Sequence, residues 1–428
     1  MDCKTSSLCI FDKPGILTDI QHAYTVDYYP VSSVNSTAPI EFFIPGNSED
    51  YIDVNDIKIY IKLKVTKADG SNIDQTKDIV GLTNLPISSL FQDVLLTVGD
   101  TQIEGGDMSY PLRAYFRTLF QFEPDAQNAQ MKAFGWYKDQ AGKFDDKTNT
   151  GFVKRQGLVG NSNVIEFLGP LYLDFFNQDR FLISQTDIRI KLMPSKPEYA
   201  LMAFSTAPTD FKINFESVVL YVDRVELNPS VINGHAMGLQ TDNARYFINH
   251  TELLNYTIPA GQKSYTKDRL FPDLAPKMIM IAMTENEAFN GSYTKNPFRF
   301  QHFNLNKLAL YREGRSIPGQ PFQPDFKQSI YLRDYIHTMR AFDYYNTDQT
   351  NGLTPNEWAN DFTVYAFDLT ADKDVGTHCL QANLTKNLRL EVNFGTNLAN
   401  TINVLIYAVT DSQVEITQLR DVITHYNR

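Results

Sequence analysis

Seven histidines are the first residues to test for chemistry: His22, His235, His250, His302, His337, His378 and His425. None stands in an H-x-H or H-E-x-x-H pair, so no spacing supports a zinc site. Cys3, Cys9 and Cys379 match no zinc or redox motif, and free thiols in a reducing compartment are expected. The chain has no G-x-S-x-G elbow, phosphate-binding loop or dinucleotide fingerprint. NTDQTNGLTPNE (346–357) has the length of a calcium loop, with oxygen-bearing residues at its first and third places and Glu at its twelfth. Its sixth place, which needs Gly, holds Asn351, and Gly352 comes one later. A turn leading into a helix cap at Thr354-Pro355-Asn356-Glu357 is the better reading. Acidic residues are numerous enough to assemble a glycosidase pair in space, but nothing points to a particular pair. No catalytic residue, metal ligand or cofactor is therefore predicted, which moves the weight from enzyme towards structural protein.

One stretch is dense enough to look like a binding site: AFNGSYTKNPFRFQHFNLNKLALYREG (288–314). What it does depends on the elements around it. The 428 residues suffice for two or three domains with large cores. Hydrophobic residues make up 43% and charged residues 21%, as in ordinary globular proteins. Aromatics reach 13%, with 29 Phe and 23 Tyr, and side chains of this shape suit a pleated, half-buried surface. A net charge of −11 without clustered Lys or Arg argues against a nucleic-acid coat, so no direct sequence-specific nucleic-acid binding is expected. MIMIAM (278–283), the longest near-continuous apolar run, is too short to span a bilayer. The opening MDCKTSSLCIFDK lacks the apolar run of a signal peptide, so synthesis in the cytosol is expected. The triplets at Asn249 and Asn290 are then expected to stay unglycosylated.

Period-two alternation is strong. In DIKIYIKLKVTKA, Ile57, Ile59, Ile61, Leu63 and Val65 fall on one face, opposite Lys58, Tyr60, Lys62, Lys64 and Thr66. NLRLEVNF and DIRIKLMP repeat the pattern, and TINVLIYAV, apolar on both faces, reads as a central strand. Ala68-Asp69-Gly70-Ser71, Val98-Gly99-Asp100 and Arg312-Glu313-Gly314 are hairpin signals. Helical periodicity is confined to PLRAYFRTLFQF, with Leu112, Tyr115, Phe116, Leu119 and Phe120 on one face, and YLRDYIHTMRAF, with Leu332, Tyr335, Ile336 and Met339 on one face.

These two segments also resemble each other. LRAYFRTLFQF and LRDYIHTMRAF share Leu, Arg, Tyr, Thr and Phe at the same places, and amphipathicity alone demands neither the Arg nor the Thr. A strand–turn–strand unit precedes each, and a long polar stretch and further strands follow. The chain reads as two β-rich halves in tandem, each with one helix, with a boundary at VELNPSV where Asn228-Pro229 breaks the strand. The expected division is an N-terminal arm with the first strands (1–50), a first sandwich (51–227) and a second (228–428). Arg113 and Arg333 each flank an apolar stripe. Each either ties its helix to its own sandwich or to an adjoining subunit, or covers apolar surface with its stem while its head stays in water.

FNGSYTKNPFRFQHFNLNKLALYREGRSIPGQPFQPDF (289–326) resembles the signature region of the major capsid protein, or hexon, of adintoviruses and the related Polinton (Maverick) elements. YPLRAYFRTL, FFNQDRFLI, VELNPSV, FTVYAFDLT and LRLEVNF…TINVLIYAV resemble the same family. The resemblance implies an all-β double jelly roll, two eight-stranded sandwiches with long loops. It implies homotrimers that tile an icosahedral capsid as pseudo-hexagons, a separate single jelly-roll penton protein at the vertices, minor capsid proteins as further partners, and residence in the virion. It implies no catalysis. On this reading Phe298, Phe300, Phe303 and Leu305 supply core to a strand of the second jelly roll, and Asn290-Gly291 turns the chain before it. Tyr293, Lys295, Asn296 and Arg299 are candidates either for a subunit-facing loop or for core and turn roles. Arg180, in FFNQDR, either crosses a subunit contact or caps a local turn. The alternative is a tandem β-sandwich that binds or processes glycans, and a third reading is a host copy of a capsid gene put to another use.

Overall fold

A computed structural model describes residues 17–426 apart from 35–36, 47–48, 205–209, 273, 372, 374–379 and 382–384. The three cysteines and His378 lie outside the described residues. Strands β1 (Ile20–Tyr28), β2 (Ile40–Ile44), β3 (Tyr51–Lys67), β4 (Phe91–Val98), β5 (Thr101–Glu104), β6 (Val164–Pro170), β7 (Ile188–Pro194) and β8 (Phe211–Leu227) form two antiparallel sheets, ordered β1-β8-β3-β6 and β2-β7-β4-β5. Then come β9 (Ala244–Ile258), β10 (Ser264–Lys267), β11 (Met278–Glu285), β12 (Leu305–Arg312), β13 (Arg315–Phe322), β14 (Val364–Asp368), β15 (Leu388–Phe394) and β16 (Ile402–Ile416). Their sheets are ordered β9-β16-β11-β14 and β10-β15-β12-β13. Counted within each half, the order is the same twice: 1-8-3-6 and 2-7-4-5. This is the strand order of a jelly roll, so the chain is a double jelly roll.

Local sequence explains the strands. In β3, Ile57, Ile59, Ile61, Leu63 and Val65 are buried while Lys58, Tyr60, Lys62 and Lys64 are only half-buried, as period two requires. Facing sheets share a core: Ile59, Ile61 and Val222 of one meet Val94, Leu96 and Ile190 of the other. The apolar runs at β11 and β16 have a different cause. Met278, Met280 and Ala282 point into the core that extends from the first sandwich, whereas Ile279, Ile281 and Met283 point into the second sandwich's own core. The sheet carrying them is covered on both faces, so it has no polar face to alternate with. A further short strand (Val422–Tyr426) pairs with the end of β16, and Val80–Leu82 pairs with Leu201–Ala203.

Two of the three hairpin signals close hairpins. Val98-Gly99-Asp100 joins β4 to β5, and Glu313-Gly314, both at positive φ, joins β12 to β13. Ala68-Asp69-Gly70-Ser71 makes a turn, with Lys67 N–H donating to the Ser71 carbonyl at 3.0 Å, but no returning strand follows. The end of β3 pairs with β8 instead. Just after β5, Gly105 sits at φ +94, and a Cβ there would meet the Val94 carbonyl at 2.5 Å, so only glycine fits this exit.

The long connections carry helices: α1 (Tyr110–Gln121), α2 (Thr150–Val159), α3 (Pro229–Gly238) and α4 (Leu332–Ala341). α1 and α4 are the two expected helices, and each follows the fifth strand of its own sandwich. α2 and α3 carry no amphipathic stripe to announce them. Both start at asparagine caps, Asn149 and Asn228, whose side chains accept N–H groups of the first turn. Thr354 and Glu357 form the expected capping box, opening a short helical turn at Pro355–Ala359.

Candidate functional site

Apart from Arg333, the candidate site residues singled out by sequence converge on the junction between the two sandwiches. α1 is its wedge. Leu112, Tyr115, Phe116, Leu119 and Phe120 are all buried. Tyr115 stacks on Phe298 at 4.2 Å between ring centroids, Phe116 stacks on Phe300 at 4.9 Å, and Phe120 stacks on Phe342 at 4.6 Å. Phe116 also meets Tyr407 of β16 at 5.7 Å. Phe298 and Phe300 therefore do not belong to a strand of the second sandwich, as expected above. They precede β12 and fill the seam, because α1 offers them an aromatic face. Leu305 does open β12 in the second core, and Phe303, at φ 45°, is half-buried beside it. Asn290 closes a helical turn (Asn286–Asn290), and Gly291 follows at φ +102.

Arg113 lies on α1 and is 5% exposed. Its Nη1 donates to the Thr251 carbonyl at 3.3 Å and to Thr251 Oγ1 at 3.2 Å, reaching β9 of the other sandwich. Asp174 at 3.7 Å and Glu104 and Asp107, each at 3.9 Å, surround its charge. Burial works against that charge, but Asp174, Asp107 and Glu104 outweigh it and raise the guanidinium pKa. Glu104 is pushed up to about 8 by burial and by Asp174, against the pull of Arg113. Its oxygens accept the N–H groups of Asp174 and Phe175 at 2.9 and 2.5 Å. Beside them, burial holds His250 below its ordinary value while Asp174 pulls the other way.

Asn296 and Arg299 meet a second cluster. Asn296 is fully buried; its N–H donates to Asp145 at 2.7 Å and its amide to Asp139 at 3.3 Å. Arg299 bridges Asp145 at 2.7 Å and Asp361 at 2.8 Å. Lys295 pairs with Glu285 at 3.0 Å and sits 3.9 Å from Asp145. Tyr293 accepts the Ala203 N–H on its carbonyl at 2.7 Å and packs edge-on against Phe211. Beneath them Arg155, with no exposed surface, is saturated by Asp139, the Leu82 carbonyl and the Tyr137 carbonyl at 2.7–2.8 Å. Tyr293, Asn296 and Arg299 thereby tie the second half of the chain to the first.

Arg180 also reaches across. Gln178 caps the local turn through both backbone groups of Arg180, and the guanidinium donates to the Arg245 carbonyl and lies over Phe247 at 5.3 Å. It borders a cleft of about 620 Å³ between α3 and the starts of β1 and β9, lined by Ile20, Tyr51, Leu227, Val231, His235 and Tyr246. Charges there are matched within the chain: Arg245 pairs with Asp242 at 2.6 Å and Glu415 at 3.5 Å. Arg333 differs from Arg113. Its head is exposed, donates to the carbonyls of Gln320 and Pro321 at 2.6 and 3.2 Å, and lies over Phe322 at 5.5 Å.

Sequence reading missed Asp139, Asp145, Arg155, Asp174 and Asp361, because each partner lies far along the chain and no local pattern marks it. Among the described residues no group of three His, Cys, Asp or Glu side chains is arranged to hold a metal ion, and no helix is long and apolar enough to cross a membrane.

No family model matches the chain. An uncharacterized protein of Caenorhabditis elegans, F54H12.2, is 21% identical over 366 residues, covering 83% of this chain and 86% of that protein. Among solved structures, a chain of the Sputnik virophage superposes with a TM-score of 0.65 at 12% identity, covering 98% of this chain and 91% of its own. The Faustovirus major capsid protein superposes with a TM-score of 0.62 at 9% identity, covering 96% and 92%. Over nearly their whole lengths this chain and these viral chains share one fold, the double jelly roll.

Proposed function

We propose that the protein is a hexon-like major capsid protein of a double-stranded DNA virus or of an adintovirus- or Polinton-type element. One observation carries the reading: an identical jelly-roll strand order repeated twice in one chain, the two copies locked side by side. Three such chains supply six sandwiches, so a trimer would approximate a hexagon and tile an icosahedral face, and the protein would reside in the virion. A penton protein and minor capsid proteins would complete the shell. The boundary between a first jelly roll ending at 227 and a second spanning 228–428 draws support from strand pairing, since β1 to β8 and β9 to β16 pair only within their own sets; β1 and β2, which the expected arm (1–50) set apart from the first jelly roll (51–227), pair into its two sheets. The glycan reading draws no support from the viral structures that share the fold.

Light scattering and negative-stain microscopy of the purified chain test this. The expected species is a trimer of about three times 48.8 kDa, or assemblies of it, seen as pseudo-hexagonal tiles. Obligate contacts of this kind bury more than ~2,000 Å² and persist on dilution. A monodisperse monomer at micromolar concentration would overturn the proposal.

A further inference from the structure

Three neighbouring strands of the second sandwich bring together a lysine, a primary amide and a carboxylate. Asn249 on β9 stands directly opposite Asp411 on β16. Lys277, one residue before β11, donates its backbone N–H to the Val409 carbonyl of β16 at 2.8 Å. The lysine is 2% exposed and the aspartate 5%. Lys277 Nζ lies 2.7 Å from Asn249 Oδ1 and 2.8 Å from Asp411 Oδ1. The other aspartate oxygen accepts the Gln381 N–H at 3.0 Å, which fixes the carboxylate and leaves Oδ1 to the amine.

A buried ion pair is costly to desolvate and gives little stability that apolar side chains could not supply. This one adds a reactive possibility, because the amine is held against an amide whose carbon lies one bond beyond the oxygen it touches. We propose that Lys277 and Asn249 condense into an intramolecular isopeptide bond, with Asp411 carrying the protons.

Asp411 first takes a proton from the Nζ ammonium, which cancels two buried charges and leaves a neutral amine. The Nζ lone pair attacks Asn249 Cγ; a C–N bond forms and the carbonyl π pair moves onto Oδ1. Asp411 gives its proton to Nδ2 and receives one from Nζ. The Oδ1 pair then returns, the Cγ–Nδ2 bond breaks and ammonia leaves. Asn249 is exposed, so ammonia departs into solvent, taking the last proton as ammonium and restoring the Asp411 carboxylate. An amine and a primary amide become a secondary amide and ammonia, with no metal, oxidant or nucleotide required. Holding both groups in place substitutes for concentration, with effective molarities on the order of 10⁵ M or more when alignment is good. The bond would link β9 to β11 across β16, so these three strands could not separate without breaking a covalent bond.

Intact mass of the purified full chain under denaturing conditions tests the proposal. The expected mass is below that of the sequence by one ammonia, and digestion should release a branched peptide joining Lys277 to Asn249. Lys277→Met and Asn249→Ser should each show the full mass of their own sequences. Cyclisation at Asn290-Gly291 would lose the same mass, so a Lys277→Met chain that still lacks ammonia overturns the proposal. A wild-type chain of full mass, or a digest that releases Lys277 with a free side chain, overturns it too. Asp411→Asn keeps both reactants and should slow bond formation by roughly 10²–10⁴-fold; unchanged kinetics would remove Asp411 from the reaction.

Discussion

Two arginines in matching LRxY contexts serve different ends. Arg113 is buried, its Nη1 makes both hydrogen bonds to Thr251, and carboxylates from separate segments stand 3.7–3.9 Å from its head, a reach that a shorter lysine would not reproduce. Arg113→Lys is expected to lower stability by roughly 1–3 kcal/mol through lost charge-assisted bonds. Arg333 holds two carbonyls of its own sandwich at the surface, where such contacts contribute little, and Arg333→Lys should cost less than about 1 kcal/mol. Thermal melts of the two variants check the asymmetry; equal shifts would contradict it. The neighbouring Asp334 supplies a pH dependence. Burial pushes its carboxyl up to about 7, with Arg333 pulling back. The folded chain thus binds this proton more tightly than the unfolded chain does. The resulting stabilisation is complete below the ordinary carboxylate value and is lost as pH rises through 7. Between pH 5 and pH 8 the wild type should lose melting temperature, and Asp334→Asn should lose less; a slope unchanged in the variant would contradict the assignment. The arginines were legible in the sequence as a repeated pair. Their different surroundings were not, because Thr251, Asp174 and Glu104 lie in other elements.

At the scale of elements, the same contrast explains what sequence periodicity could and could not reveal. α1 and α4 show the same apolar spacing, yet α1 buries its whole stripe, while on α4 Leu332 is 59% exposed and Ile336 40% exposed. The apolar stripe of α4 is thus only partly covered, through Tyr335 and Met339. The face that packs carries Asp334, Thr338 and Met339, with Thr338 Oγ1 donating to the Val364 carbonyl at 3.1 Å. Periodicity reports where apolar residues fall around a helix, not which side the rest of the chain covers. Strands gave a surer signal because period two leaves only two faces; β15 follows it throughout, β3 does from Ile57 to Val65 and β7 from Ile188 to Leu192. Even there, β11 and β16 needed the structure to show that their second face is covered by the first sandwich. The burial difference is measurable. Phe116→Ala should cost about 3–5 kcal/mol by opening a cavity in the seam. Leu332→Ala should change the stability of an isolated chain by no more than about 0.5 kcal/mol. Denaturant melts of both at one protein concentration would decide it, and a large loss in Leu332→Ala would show that something covers that face.

The whole molecule is more unified than its duplication suggests. Two sandwiches with the same strand order imply two separate cores, and the second does have one of its own around Trp358, Tyr365 and Phe367. The other core does not stop at the boundary. It runs from β3 and β7 through α1 to Met278, Met280, Leu405 and Tyr407. Polar ties follow the same seam. Arg299 and Asn296 reach Asp145, Lys138 reaches Glu357 at 2.9 Å, Tyr344 donates to the Phe120 carbonyl at 2.7 Å, and Arg420 donates to the Ser184 carbonyl at 2.9 Å. The duplication was legible from the paired helices, and Asn228-Pro229 does end β8 and open α3. The seam was not, since Phe298 and Phe300 read as core of a strand of the second jelly roll, and only the distant α1 lying against them places them between the halves. Domains joined through small polar contacts move and melt independently, whereas a large apolar interface couples them. Calorimetry of the wild type should therefore show one transition spanning both sandwiches. Phe298→Ala combined with Phe300→Ala removes the two rings stacked on Tyr115 and Phe116 while leaving every strand intact. That variant should melt earlier, with the transition split or broadened as the halves lose their shared core. Two well-separated transitions in the wild type, or an unchanged single one in the double variant, would mean that the seam does not couple the sandwiches.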